Sequence, residues 1–152
     1  MRKLRVIAIT IVIIAFGLYS YLNNREVKVI DAHHNKYTAE ILVDHLPFSK
    51  SASVDWWLKN QDEIRSEYKI PFGEEGPIFI TIYAFGDGYK EEGKKDRLCF
   101  DDMKPPKNCI DKDILMSVNR TRNGDTEFGF EYSAYFLTKD GTLIKSDDRQ
   151  AP

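Results

Sequence analysis

The sequence predicts an α+β fold: an N-terminal transmembrane helix followed by one small domain, in which an antiparallel sheet is packed by a single amphipathic helix. Three observations predict it. An uncharged apolar run begins at Val6 and ends at Leu22. Beyond it, most apolar residues alternate with polar ones at the period of two that marks strands. One segment, residues 52–68, instead carries its apolar side chains at helical spacing.

The run reads VIAITIVIIAFGLYSYL and follows a basic tip containing Arg2, Lys3 and Arg5. Roughly 17 residues at 1.5 Å each make about 26 Å of helix, close to the hydrocarbon thickness of a bilayer. Tyr19 and Tyr21 stand where interfacial aromatics are expected. A buried core helix would show an amphipathic stripe, and this run is apolar all round. A cleaved signal peptide is the nearer alternative. Its apolar core is shorter, however, and it ends in small residues. Here a cut after Ser20 would have Leu18 three positions back and bulky Tyr19 and Tyr21 on either side. The reading is therefore an uncleaved signal-anchor. The basic tip outweighs the mixed Arg25, Glu26 and Lys28, which places the N-terminus in the cytoplasm. No cysteine lies near the run to accept a lipid.

After the anchor, residues 26–34 (EVKVIDAHH) and 37–46 (YTAEILVDHL) alternate around a polar break at Asn35 and Lys36. They read as a hairpin, with Asn35 tolerating a left-handed turn conformation. Ser49, Ser51 and Ser53 are candidate N-caps for the helix that follows. Its stripe is Val54, Trp57, Leu58, Ile64 and Tyr68, with Asp55 placed in the first turn and Pro71 as the stop. Trp56 lies off the stripe. Residues 77–85 (PIFITIYAF) are apolar on both faces and read as a central strand. A glycine-rich polar loop, 86–96, leads to a short edge strand within 97–103. Residues 113–121 form a strand, and Asn123, Gly124 and Asp125 a turn. Residues 126–137 show the cleanest alternation, with Phe128, Phe130, Tyr132, Ala134 and Phe136 on one face. Asp140 and Gly141 turn the chain into a last strand at 142–145. The domain organisation is thus 1–24 for tip and anchor, 25–146 for the α+β domain, and 147–152 for a polar, frayed tail.

Composition narrows function mainly by exclusion. Three of the 22 Lys and Arg precede the run and all 24 acids follow it, leaving 19 basic against 24 acidic residues, a charge of −5 on the domain. That is no nucleic-acid footprint, and it offers anionic lipid little beyond the basic tip. The two cysteines, Cys99 and Cys109, lie in an oxidising space if the topology holds. A disulfide between them, around the turn at Pro105 and Pro106, would contribute about 2–3 kcal/mol by the loop-entropy argument.

The chemistry-bearing residues form no recognised catalytic pattern. His33 or His34 could approach Asp44 or His45 across the hairpin, but adjacent strand residues point to opposite faces, which argues against a shared metal site. Asp101, Asp102, Asp111 and Asp113 lack the order of a calcium loop. Gly86 and Gly88 lack the rest of a dinucleotide fingerprint. The expectation is no enzyme, no metal and no cofactor. Trp56, Asp87 and Tyr89 are left over from the predicted core and form the candidate binding surface.

Several stretches together carry a resemblance. They are the anchor, Val29 to His34 (VIDAHH), Ile41 to Phe48 (ILVDHLPF), Trp56-Trp57, Tyr68-Lys69-Ile70-Pro71, Phe85-Gly86-Asp87-Gly88-Tyr89, Leu98 to Asp102 (LCFDD) and Asn108-Cys109-Ile110. With these the chain resembles the enterobacterial putative membrane protein family, over nearly its whole length. The resemblance implies a small membrane-anchored protein of enteric bacteria and no established activity. The function expected is an inner-membrane-anchored, periplasmic, non-enzymatic domain that binds another envelope protein, an immunity or inhibitor type being one form. The alternative is a module that stacks Trp56, Tyr83, Phe85 and Tyr89 on an envelope glycan.

Overall fold

A computed structural model describes residues 1–146; the tail expected at 147–152 lies outside them. Helix α1 spans Arg2–Asn24, and none of its residues is buried. Its 23 residues make about 35 Å. Thr10 is the one hydroxyl in the middle of the apolar run, and its Oγ1 donates to the Val6 carbonyl at 2.9 Å. That local bond removes the cost of an unpaired hydroxyl in an apolar medium.

The hairpin forms from β1 (Val29–His34) and β2 (Thr38–Val43), antiparallel, with a register shift between Val29 and Asp31. Its turn works differently from the expectation. Asn35 does not adopt a positive φ. Its side-chain Oδ1 instead accepts from the Tyr37 and Thr38 N–H groups at 2.7 and 2.9 Å, an Asx turn. Helix α2 (Lys50–Glu67) is capped by Ser49, whose Oγ accepts from Ala52 N–H. The helix therefore starts two residues before the segment expected at 52–68, and Asp55 falls in the second turn, not the first. Val54, Trp57 and Ile64 are buried, as the stripe requires. The helix ends in a Schellman turn: Ile70 N–H donates to Arg65 C=O, and Lys69 takes φ of 56°.

Strands β3 (Phe79–Ala84), β6 (Ile114–Arg120), β7 (Thr126–Phe130), β8 (Ser133–Leu137) and β9 (Leu143–Lys145) complete the main sheet, in the order β1-β2-β3-β6-β7-β8-β9. Strands β4 (Arg97–Cys99) and β5 (Cys109–Asp111) form a separate two-stranded ladder. Residues 97–103 are thus no edge of the main sheet. The α+β class stands, with one departure from purely antiparallel pairing: β2 and β3 are parallel. The cause is α2, whose 18 residues return the chain by about 27 Å, longer than a six-residue strand, so β3 starts at the same end as β2.

The long strand expected at 126–137 is two strands. Register pairs Phe128 with Tyr135 and Phe130 with Ser133, so the chain reverses at Glu131 and Tyr132. The reversal inverts parity. Phe128 is buried in the core with Tyr135 and Leu137 packed alongside, whereas Phe136 faces the other side of the sheet and Tyr132 is 86% exposed. Phe130 is only partly buried.

Two cores result. Ile41, Val43, Ile80, Ile82, Met116, Val118 and Phe128 meet Val54, Trp57 and Ile64 of α2 on one face. On the other face Leu42 and Tyr83 meet Phe100 and Ile110, brought by the β4–β5 lobe. This explains why β3 reads as apolar on both faces.

Candidate functional site

A hydrogen-bonded group of titratable side chains lies where the lobe meets β1. Strand alternation turns Asp31 and His33 toward the lobe, and register places Glu40 of β2 opposite His33. Asp44 and His45, which the hairpin was expected to bring near the histidines, lie at the other end of β2; Asp44 accepts from Lys28 N–H instead. His33 is buried and stacks on Phe100 with ring centroids 3.8 Å apart. Its Nδ1 meets Asp102 Oδ2 at 2.7 Å, and its Nε2 meets the Tyr89 hydroxyl at 2.8 Å. Tyr89 in turn donates to Asp31 Oδ2 at 2.6 Å. Burial, with Asp31 beside it, pushes the Tyr89 phenol well above its ordinary value, so it stays protonated and donates its hydrogen bond to Asp31. The Tyr89 oxygen is left to accept from His33. Burial also raises the Glu40 carboxyl, against the Thr38 hydroxyl and the nearby histidines, which lower it.

His33, Glu40 and Asp102 border a cleft of about 390 Å³ whose lining also includes Leu98 and Phe100. The group latches the lobe onto the sheet. Two further ties hold the lobe itself together. Cys99 and Cys109, opposite each other across the β4–β5 ladder, are disulfide-bonded. Asp111 meets Lys90 at 2.5 Å and Arg97 at 2.9 Å, and these contacts, Lys90 first, hold its carboxyl at about 2.

The three residues of the sequence-derived binding surface do not converge. Tyr89 is inside the latch. Asp87 is exposed on the glycine loop and reaches Lys90 at 3.4 Å. Trp56 is on the other face of the sheet, partly buried against the α2 core, its ring 6.4 Å from that of Trp57. The aromatic platform considered for a glycan is likewise interior: Tyr83 is buried, and Phe85 and Tyr89 meet edge-to-face at 5.1 Å. Sequence reasoning missed His33, Asp31 and Asp102 as one group, because Asp102 is brought to them only by the lobe, 69 residues along the chain from His33.

Two ends of the sheet differ. The end nearest α1 carries Val29, Val43 and Ala84 in register. The opposite, distal end exposes Tyr37, Ile78 and Phe79 at 62, 40 and 53%. Their backbones meet there, since the Tyr37 carbonyl accepts from both the Ile78 and Phe79 N–H groups at 3.1 and 3.3 Å, while strand alternation turns Ile78 and Phe79 to opposite faces of the sheet.

Compared with known proteins, residues 1–147 match the model of a family described as Enterobacterial putative membrane protein (DUF943). The chain belongs to that family. The match includes α1, the latch, the lobe and the distal end together, so family membership extends to the whole described fold. No curated protein and no solved structure matches the chain. What the family description and the fold share is one N-terminal helix, apolar and long enough to cross a membrane, on a small α+β domain.

Proposed function

We propose that the protein is a single-pass inner-membrane protein whose domain lies in the periplasm and binds another envelope protein without catalysing a reaction. The observation that carries the binding reading is the distal patch of Tyr37, Ile78 and Phe79. Large apolar side chains left exposed together at one end of a sheet are typical anchors of protein interfaces. Strands of six residues hold the patch about 20 Å beyond the anchored end, out of reach of the bilayer and in reach of a neighbouring protein. The non-enzymatic reading is supported by His33: both ring nitrogens are engaged within the fold, leaving neither as a base for a substrate. The periplasmic reading rests on the basic tip and suits the disulfide.

Site-specific photocrosslinking in the intact bacterium tests this. A benzophenone amino acid at Tyr37 or Phe79 is expected to give one discrete protein adduct, absent when the probe replaces exposed Glu63 of α2. Phe79→Ser should remove the adduct formed from position 37 while leaving the melting temperature unchanged. Absence of any protein adduct at both positions rejects the reading, and adducts bearing glycan would favour the glycan-binding alternative.

A further inference from the structure

The domain is not hung from its anchor on a free linker. Asn23 Oδ1, inside α1, accepts from Ser49 N–H at 2.7 Å, at the N-cap of α2. The Tyr19 and Phe48 rings meet edge-to-face at 6.1 Å. Tyr19 precedes the end of the apolar run at Leu22 by about 4.5 Å of helix rise, which places it in the interfacial layer of a bilayer. Phe48 is therefore held at that same depth, although it belongs to the domain, and it is 68% exposed.

The rest of the same end follows from the sheet. The β7–β8 turn, with Tyr132 at its tip, lies at this end, because β6 begins here at Ile114, opposite Tyr83. Lys50 Nζ donates to Ser133 Oγ at 2.9 Å and so ties the residue after the Phe48–Ser49 contact to that turn. Ile114 is exposed there too. An apolar and aromatic rim with a lysine in it, continuous with a membrane helix, matches the interfacial layer, where aromatic side chains reside and amines meet phosphates.

We propose that this end of the sheet docks on the phospholipid surface, with Phe48 and Tyr132 in the interfacial layer and Lys50 among the phosphates, so that the distal end points away from the membrane. The docking rests on apolar insertion, in keeping with a domain whose net charge gives anionic lipid little to attract.

The test uses the full chain in vesicles of phosphatidylethanolamine and phosphatidylglycerol, spin-labelled singly through Phe48→Cys, Tyr132→Cys or Phe79→Cys with the native disulfide intact. Relaxation by oxygen, which partitions into lipid, is compared with relaxation by a water-soluble nickel chelate. Position 132 decides, since position 48 is tied to α1 in any case, and Tyr132 is so exposed that its replacement leaves the fold undisturbed. The expected result is a several-fold shift toward oxygen at 132 and 48 relative to 79. Nickel accessibility at 132 equal to that at 79 would overturn the proposal. Protection of 132 from both reagents, the mark of a protein contact, would overturn it as well.

Discussion

Lys69 is the non-glycine residue of positive φ among those described, and it sits where helices usually place glycine. A left-handed backbone costs an L-residue about 1–2 kcal/mol, and the buried Ile70 that follows holds it there. Lys69→Gly is expected to raise stability by roughly 0.5–1 kcal/mol, after the entropy that glycine returns to the unfolded chain, read as a higher denaturant midpoint at unchanged slope. Glu40 poses the opposite kind of strain. Burial raises its folded value above the ordinary carboxylate one, against the Thr38 hydroxyl and the histidines, which lower it. Between the unfolded and folded values the native state holds the proton more tightly, so stability falls as pH rises through that window and stays lower above it. Glu40→Gln removes this penalty. Its melting temperature should exceed that of the native chain at pH 7, and the gain should vanish below about pH 4, where both states are protonated. An equal gain at every pH would mean that packing, not charge, is responsible. Neither residue announces itself in the sequence: Pro71 signals the stop of α2 but not the conformation before it, and Glu40 looks like any polar residue of an alternating strand.

Among elements, those whose signal is local were legible, and those set by pairing were not. The apolar run, the stripe of α2 and the alternation of β2 and β3 each write their period directly into the chain. The β7–β8 reversal does not, because Glu131 and Tyr132 carry no turn chemistry and alternation continues across them in composition while inverting in space. The two readings differ in energy. Phe128→Ala is expected to cost about 3–5 kcal/mol and Tyr132→Ala less than about 0.5 kcal/mol, whereas a single strand would make both costly. Partly buried Phe130 should fall between. The lobe was legible only as a disulfide, since its place over the second face depends on Tyr83, Phe100 and His33 meeting from three separate segments. Cys99→Ser should lower stability by about 2–5 kcal/mol in chemical denaturation. Native thiols should resist labelling until reductant is added, and free thiols in freshly isolated protein would remove the bond from the account.

At the scale of the whole molecule, the fold and its anchor share contacts, and this bears on whether α1 is retained. A cut after Ser20 would delete Tyr19 and its ring contact with Phe48, while leaving Asn23 to hold Ser49 N–H from a frayed new terminus. The domain's contacts are complete only when the helix stays. Retention also needs an orientation, and the three basic residues at the tip against mixed charges after Asn24 supply it. Alkaline phosphatase fused after Asn24 should be highly active in a bacterium, because it folds only outside the cytoplasm, and a green fluorescent protein fused at the same point should stay dark. Arg2, Lys3 and Arg5 replaced together by Glu should weaken or reverse both readouts, which ties the orientation to the tip and not to the domain. Intact mass of the isolated protein should retain the residues of α1; a mature chain starting at Tyr21 would make the run a signal peptide, free the domain from the membrane, and leave Phe48 and Tyr132 without the surface assigned to them.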